Sequence, residues 1–255
     1  ILDKEDLEGL SEGVISAASE AASKKMEEAD SDEEKNKYEN KYVFTPHRSS
    51  MYPFLTESTR RDSREILYKS YVMRGDNNNE FDNKKIAAQI AKLRAERANI
   101  MGYKTHAHFI LEENMLKTPE EVYDLLLQLW RPALKRAKAE VADMQAVADA
   151  EGQDFKVAAW DWWHYSEKVR KAKYDLDEAA IKPYLSLDNV IQGVFTTTNK
   201  LWGLNFREIF DIDLYHPDAR VWEVTDKDGS HLAIFIGDYF TRSNKRGGAW
   251  MSSFK

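Results

Sequence analysis

Thr118-Pro119-Glu120-Glu121-Val122-Tyr123-Asp124-Leu125-Leu126-Leu127-Gln128-Leu129 opens the segment on which the fold class turns. The Thr118 hydroxyl and the Glu121 carboxylate can each accept the other's backbone N–H, and Pro119 has no N–H to leave unpaired. A long helix must follow. Val122, Leu125, Leu126, Leu129, Ala133, Ala137, Val141, Met144 and Ala148 give it a buried stripe, and Gly152 closes it. Pro132 is expected to kink this helix or split it in two.

Upstream, a helix from Asp82 places Ile86, Ile90, Leu93 and Arg97 on one face and ends at Gly102. Arg97 on that apolar face reads as a buried, paired guanidinium that keeps two helices in register. Ser58 or Thr59 is expected to cap another helix, running to Met73 and stopped by Gly75. Between 41 and 55, Lys41–Pro46 reads as a short strand ended by proline, and Met51-Tyr52-Pro53-Phe54-Leu55 as a second extended connection. Residues 3–38 are rich in Ala, Glu, Lys and Ser at roughly helical spacing, which predicts one or two exposed helices. Within them the acidic run Asp30–Glu34 is a solvated turn and helix start.

Downstream, Trp160-Asp161-Trp162-Trp163-His164-Tyr165 sets four large aromatics in six residues, a density assigned mainly to packing. A basic helix runs on through Lys173, and a further helix from about Asp188 to Trp202 stops at Gly203. Val221–Thr225 and His231–Ile236 then flank Asp228-Gly229, the signature of a hairpin, and Ala249–Phe254 is strand-like. The expected fold is therefore mainly α: a multi-helix lobe with a small antiparallel β-sheet near the C-terminal end. Its expected divisions are 1–40, helical; 41–158, a helical lobe; and 159–255, aromatic-rich helices with a hairpin and an edge strand. Ile1 in place of an initiator Met, and Lys255 straight after a strand-like run, suggest a piece of a longer protein.

Composition narrows the chemistry. With 37 Lys plus Arg against 44 Asp plus Glu, the net charge is 37 − 44 = −7, so no nucleic-acid partner is expected. The absence of Cys excludes disulfides, thiolate metal sites and cysteine nucleophiles. No run of about 18 apolar residues is present, so no membrane partner is expected either. Helix-borne zinc hydrolysis needs two His at i and i+4 with Glu beside the first, and this sequence has no such pair. His106 and His108 are two apart, on different faces of a helix. His164 with Glu167 is read as an intrahelical hydrogen bond. Glu112-Glu113 and Glu120-Glu121 sit at helix ends, where they complement the dipole.

Three segments together resemble the thimet oligopeptidase family of zinc metallopeptidases, in its bacterial peptidyl-dipeptidase branch. The first runs from Ile90 to Tyr103 and ends Ile100-Met101-Gly102-Tyr103. The second combines Trp160–Tyr165 and Tyr174, Leu176 and Asp177 with Val190–Phe195 and Leu201-Trp202-Gly203-Leu204. The third runs from Tyr215-His216-Pro217-Asp218-Ala219 through Val221–Val224 and Asp228-Gly229 to Asp238–Arg242 and Lys245-Arg246-Gly247-Gly248-Ala249-Trp250-Met251. The resemblance covers most of residues 40–255 and implies a partial zincin-like catalytic lobe. It further implies oligopeptide substrates from which C-terminal dipeptides are released, and a zinc ion in the intact parent. The family's His-Glu-X-X-His motif has no counterpart among these residues, so the segment by itself is expected to bind no zinc and to be inactive.

By the same resemblance, Gly248, Ala249, Trp250 and Met251 form the strand that pairs with extended substrate backbone. Their other reading is an internal strand without ligand contact. The rival to a peptidase segment is a free-standing helical interaction module with no catalysis. Apolar surface around Trp222, Ile234, Ile236 and Trp250 is expected to be uncovered and to promote self-association. The expected compartment is the cytoplasm, with the periplasm as the alternative.

Overall fold

The computed structural model describes residues 1–174, 178–242, 244–245 and 248–253. Of the features read above, Leu176, Asp177, Arg246, Gly247 and Phe254 lie outside them. The chain is mainly α with one small antiparallel sheet, and it divides into two compact units, Ile1–Tyr174 and Asp175–Lys255.

The first unit contains α1 (Glu12–Glu27), α2 (Asp32–Asn36), α3 (Arg48–Glu57), α4 (Arg61–Val72), α5 (Lys84–Ile100), α6 (His106–Leu111), α7 (Pro119–Ala150) and α8 (Trp162–Tyr174). α7 starts as its sequence demands. Glu121 N–H donates to Thr118 Oγ1 at 3.3 Å, while Glu121 Oε2 accepts from Thr118 N–H at 3.1 Å. The helix then runs 32 residues without a break at Pro132, so of the expected kink or split the split does not occur. Proline costs it one bond, to the Gln128 carbonyl, and that stretch is exposed, so water can take the acceptor.

Met51–Leu55 is helical within α3, not extended, although Pro53 lies inside the helix. The reason is burial: Met51, Phe54 and Leu55, spaced i, i+3 and i+4, form the centre of the unit's core with Leu67, and Tyr52, Tyr68 and Trp163 pack against it. Tertiary packing outweighs one missing hydrogen bond. Ser58 and Thr59 do not cap α4, whose cap is Arg60. Ser58 instead ends α3, and its hydroxyl accepts from Arg60 N–H at 3.2 Å. The strand expected at Lys41–Pro46 reduces to one antiparallel bridge, between Tyr42 and Leu2.

A second core joins Met144 and Ala148 of α7 to Tyr165 of α8. Much of the rest of the predicted stripes stays open, with Val122 and Ala137 half-buried. Leu125, Leu126 and Leu129 of α7 and Ile86, Ile90 and Leu93 of α5 are all exposed. Arg97 is exposed too, its guanidinium 4.9 Å from the Phe109 ring centre and not held in a buried ion pair. The buried, paired guanidinium is that of Arg64.

The second unit contains α9 (Glu178–Ile181), α10 (Leu187–Trp202), β1 (Asn205–Ile209), β2 (Arg220–Thr225) and β3 (His231–Gly237). Ser186 caps α10 and Gly203, at φ +79°, ends it in the left-handed conformation that glycine tolerates. The strands are ordered β1-β2-β3, with Phe206 opposite Val224 and Trp222 opposite Phe235. β1 carries no strong period-two pattern and was not legible beforehand. α10 lies on one face of the sheet: Phe195 stacks on Phe206 at 4.0 Å between centroids and meets Trp222 edge-on at 5.5 Å. Trp222 is consequently buried, contrary to expectation, whereas Ile234, Ile236 and Trp250 are exposed as expected. Gly248, Ala249, Trp250 and Met251 join no strand, since neither edge of the sheet is paired with them.

Candidate functional site

β3 ends at Gly237, and the chain that follows is tied to one carboxylate. Asp238 accepts two hydrogen bonds from the Arg242 guanidinium, at 2.8 and 2.6 Å, and a third from the Tyr215 hydroxyl at 3.0 Å. Lys245 Nζ lies 2.8 Å from the same carboxylate and also donates to the backbone carbonyls of Asp238, at 3.0 Å, and Phe240, at 2.6 Å. Two cations and a phenol around one acid hold the Asp238 carboxyl well below the usual carboxylate range, Arg242 contributing most. The ring of contacts draws Tyr215, Arg242 and Lys245 together on Asp238.

Gly248 stands at φ +113°, where a side chain would strain the backbone, and a Cβ there would meet nothing within 4 Å. Trp250 and Met251 are about nine-tenths exposed, at 86% and 93%. The four residues singled out as a substrate-binding strand are thus consecutive and accessible. The Asp238 clamp draws on Tyr215, which lies 23 positions before Asp238 and gave no local signal of this role.

The other candidates separate. Among the described residues no three His, Asp or Glu side chains stand close enough to hold a metal ion. A zinc centre therefore does not fit the described side chains. His231 Nδ1 lies 3.1 Å from Glu223, which Arg207 also engages; His216 Nδ1 accepts from Asp218 N–H; His108 Nδ1 lies 2.7 Å from the Thr105 hydroxyl. His164 does not bond to Glu167, which pairs with Arg170. Its Nδ1 lies 3.1 Å from the Thr56 carbonyl. Burial, with Arg64 and Lys168 nearby, pushes the imidazole down to about 4, so His164 is neutral at pH 7 and Nδ1 is the donor.

The buried ionic centre of the first unit is structural in form. Asp161, fully buried, receives Arg64 Nη2 at 2.8 Å and Arg61 Nη2 at 2.9 Å, while Arg64 Nη1 donates to the Ser58 carbonyl at 2.7 Å. It ties the start of α8 to α4 and to the end of α3. The aromatic run from Trp160 to Tyr165 serves the same packing, with Trp163 stacked on Tyr52 at 5.5 Å.

The family model described as Peptidase family M3 matches residues 54–255. The dipeptidyl carboxypeptidase of Escherichia coli (strain K12) is 39% identical over 253 residues, covering 99% of this chain and 36% of that protein. The corresponding protein of Salmonella typhimurium is 37% identical over the same length and share. Oligopeptidase A of Escherichia coli is 30% identical over 255 residues, 98% of this chain and 36% of that protein. The chain spans about a third of the length of these relatives.

Proposed function

The chain belongs to peptidase family M3, and from that membership we propose that it is a segment of a zinc-dependent peptidyl-dipeptidase that removes C-terminal dipeptides from oligopeptides. The observation that carries this reading is the 39% identity to the dipeptidyl carboxypeptidase over 99% of the chain. In the parent, zinc supplies a Lewis acid and an activated water. Its ligands are proposed to lie outside these 255 residues.

The part assigned to this chain is binding and orientation. Gly248, Ala249, Trp250 and Met251 offer backbone N–H and C=O groups to an extended peptide, a mode of recognition tolerant of substrate side chains. Glycine and alanine keep the approach free of side-chain bulk. The Asp238 clamp fixes where the chain leaves β3, upstream of this segment, so that its backbone groups meet the substrate in one register.

The test compares two preparations against an N-blocked oligopeptide. The intact parent is expected to release C-terminal dipeptides in a reaction abolished by a chelator and restored by zinc. The 255-residue chain is expected to release none. Chelator-sensitive cleavage by the 255-residue chain alone would overturn the division of labour proposed here, and a parent releasing single amino acids would overturn the reaction class.

A further inference from the structure

α10 is apolar on two adjoining sides, and only one of them is covered. Ile191 and Phe195 are buried against the sheet. The flank beside them presents Val190, Val194 and Leu201 around Gly193 and Thr197, and all five are exposed. These positions follow i, i+3, i+4, i+7 and i+11, the spacing of a face that receives another helix. The small residues form a shallow groove of about 470 Å³, and a Cβ on Gly193 would meet nothing within 4 Å. The hydroxyls do not make it polar: Thr197 Oγ1 donates to the Gly193 carbonyl at 2.8 Å and Thr198 Oγ1 to that of Val194 at 3.0 Å. Their methyl groups remain to be packed.

The far side of the sheet is open along β3, although Val221 of β2 on the same face is buried. Strand alternation places Ile234 and Ile236 on the face opposite Phe235, away from α10, and both are nearly half exposed, at 46% and 47%. This unit is therefore a helix layer on a sheet layer with apolar surface left open in two places, along a flank of α10 and along β3. A second copy joined by one two-fold axis and seated on one of them would leave the other open. Several further layers of a longer polypeptide would cover both.

We infer that the groove along Val190, Gly193, Val194, Thr197 and Leu201 is the seat of a helix from the parent polypeptide outside residues 1–255. This rests on the parent proposed above and on relatives of which the chain covers 36%. The occupant is an amphipathic helix with apolar residues at i, i+3, i+4 and i+7.

The chain has no cysteine, so one introduced thiol is a unique probe within it, and in a longer chimera the labelled position is read by peptide mapping. Val194→Cys is labelled with a maleimide in the 255-residue chain and in a chimera where these residues replace the matching segment of the Escherichia coli dipeptidyl carboxypeptidase. Labelling is expected to be about 100-fold slower in the chimera, because a covered thiol reacts only through opening. Lys227→Cys, on the exposed hairpin turn, should react at one rate in both. Equal rates for Val194→Cys, in a chimera where the sheet-facing Ile191→Cys stays slow, overturn the inference. Fast labelling of Ile191→Cys means the graft has not folded, and a concentration series on the 255-residue chain then decides. Unchanged labelling at Val194→Cys supports the assignment, whereas protection that grows with protein concentration makes a second copy the occupant and overturns it. Dipeptide release is read separately: a protected but inactive chimera keeps the groove and sinks the activity, and an active, unprotected one does the reverse.

Discussion

Two regions of the first unit carry the same kind of sequence and end differently. Around α3, α4 and the start of α8, apolar residues at helical spacing meet one another: Met51, Phe54 and Leu55 are at most 1% exposed, and even the charged Arg64 and Asp161 are sealed in. Along α5 and the first half of α7 the periodicity is as regular, yet Ile86, Leu93, Leu126 and Leu129 face solvent at 51–61% exposure. The difference teaches that periodicity states which face a helix has to bury, not whether the partner lies within the same stretch of chain. In a family whose relatives are nearly three times as long, those faces are open because their partners are elsewhere in the polypeptide, on the reading proposed above.

The sharpest way to break this contrast is at the sealed centre. Asp161→Ala leaves Arg64 buried without its counter-ion, and the loss expected is about 3–5 kcal/mol in urea unfolding of the chain. A loss below 1 kcal/mol would mean that water reaches Arg64 and the centre is not sealed. α7 supplies a contrast within a single helix. Met144, buried against Tyr165, should cost about 3 kcal/mol as Met144→Ala, since a cavity remains. Leu126→Ala removes a similar side chain eighteen residues earlier and should cost a small fraction of that.

Acid provides the next effect. His164 titrates near 4 in the folded chain and near its ordinary 6.5 when unfolded, so above 6.5 it is neutral in both states and contributes nothing to the pH dependence. As pH falls below 6.5 the unfolded chain takes up a proton that the folded chain refuses, and stability drops by about 2 kcal/mol between pH 7 and 5. Arg64, Lys168 and Glu151 are the charged groups around this imidazole. Asp161, whose carboxyl is held below its ordinary value by Arg61 and Arg64, loses its contribution only at still lower pH, so the two windows separate. In His164→Gln the slope between pH 7 and 5 should flatten while the acid limb remains.

What could be read from the sequence followed local signals. The capping box at Thr118, the left-handed glycines 102, 152 and 203, and the Asp228-Gly229 turn each act within a few residues, and each is where it was expected. The failures share a cause. α3 was hidden because Pro53 is a local breaker, overruled by contacts with Tyr68 and Trp163. Arg97 reads as buried because its own helix face is apolar, whereas Arg64, which no local pattern marks, is buried by Asp161, 97 positions away. At the candidate site the segment from Asp238 to Met251 stood out by resemblance. The clamp did not, since Tyr215 comes from a loop before β2.

The smallest effect bears most directly on the comparison. Leu126→Glu on the open face of α7 replaces an exposed leucine with a good helix former, so urea unfolding of the 255-residue chain should shift by no more than about 0.5 kcal/mol. Its self-association, followed by light scattering over a concentration series, should nevertheless fall, because a charge in an uncovered apolar strip opposes the contact that strip invites. Substitution at Lys92, on the neighbouring α5 and already polar, should change neither. If Leu126→Glu instead unfolds the chain as Met144→Ala does, the first half of α7 is packed after all, and the two regions differ in degree only. If it leaves both stability and association untouched, the exposed strip drives no self-association, and uncovered apolar area alone does not make a surface adhesive here.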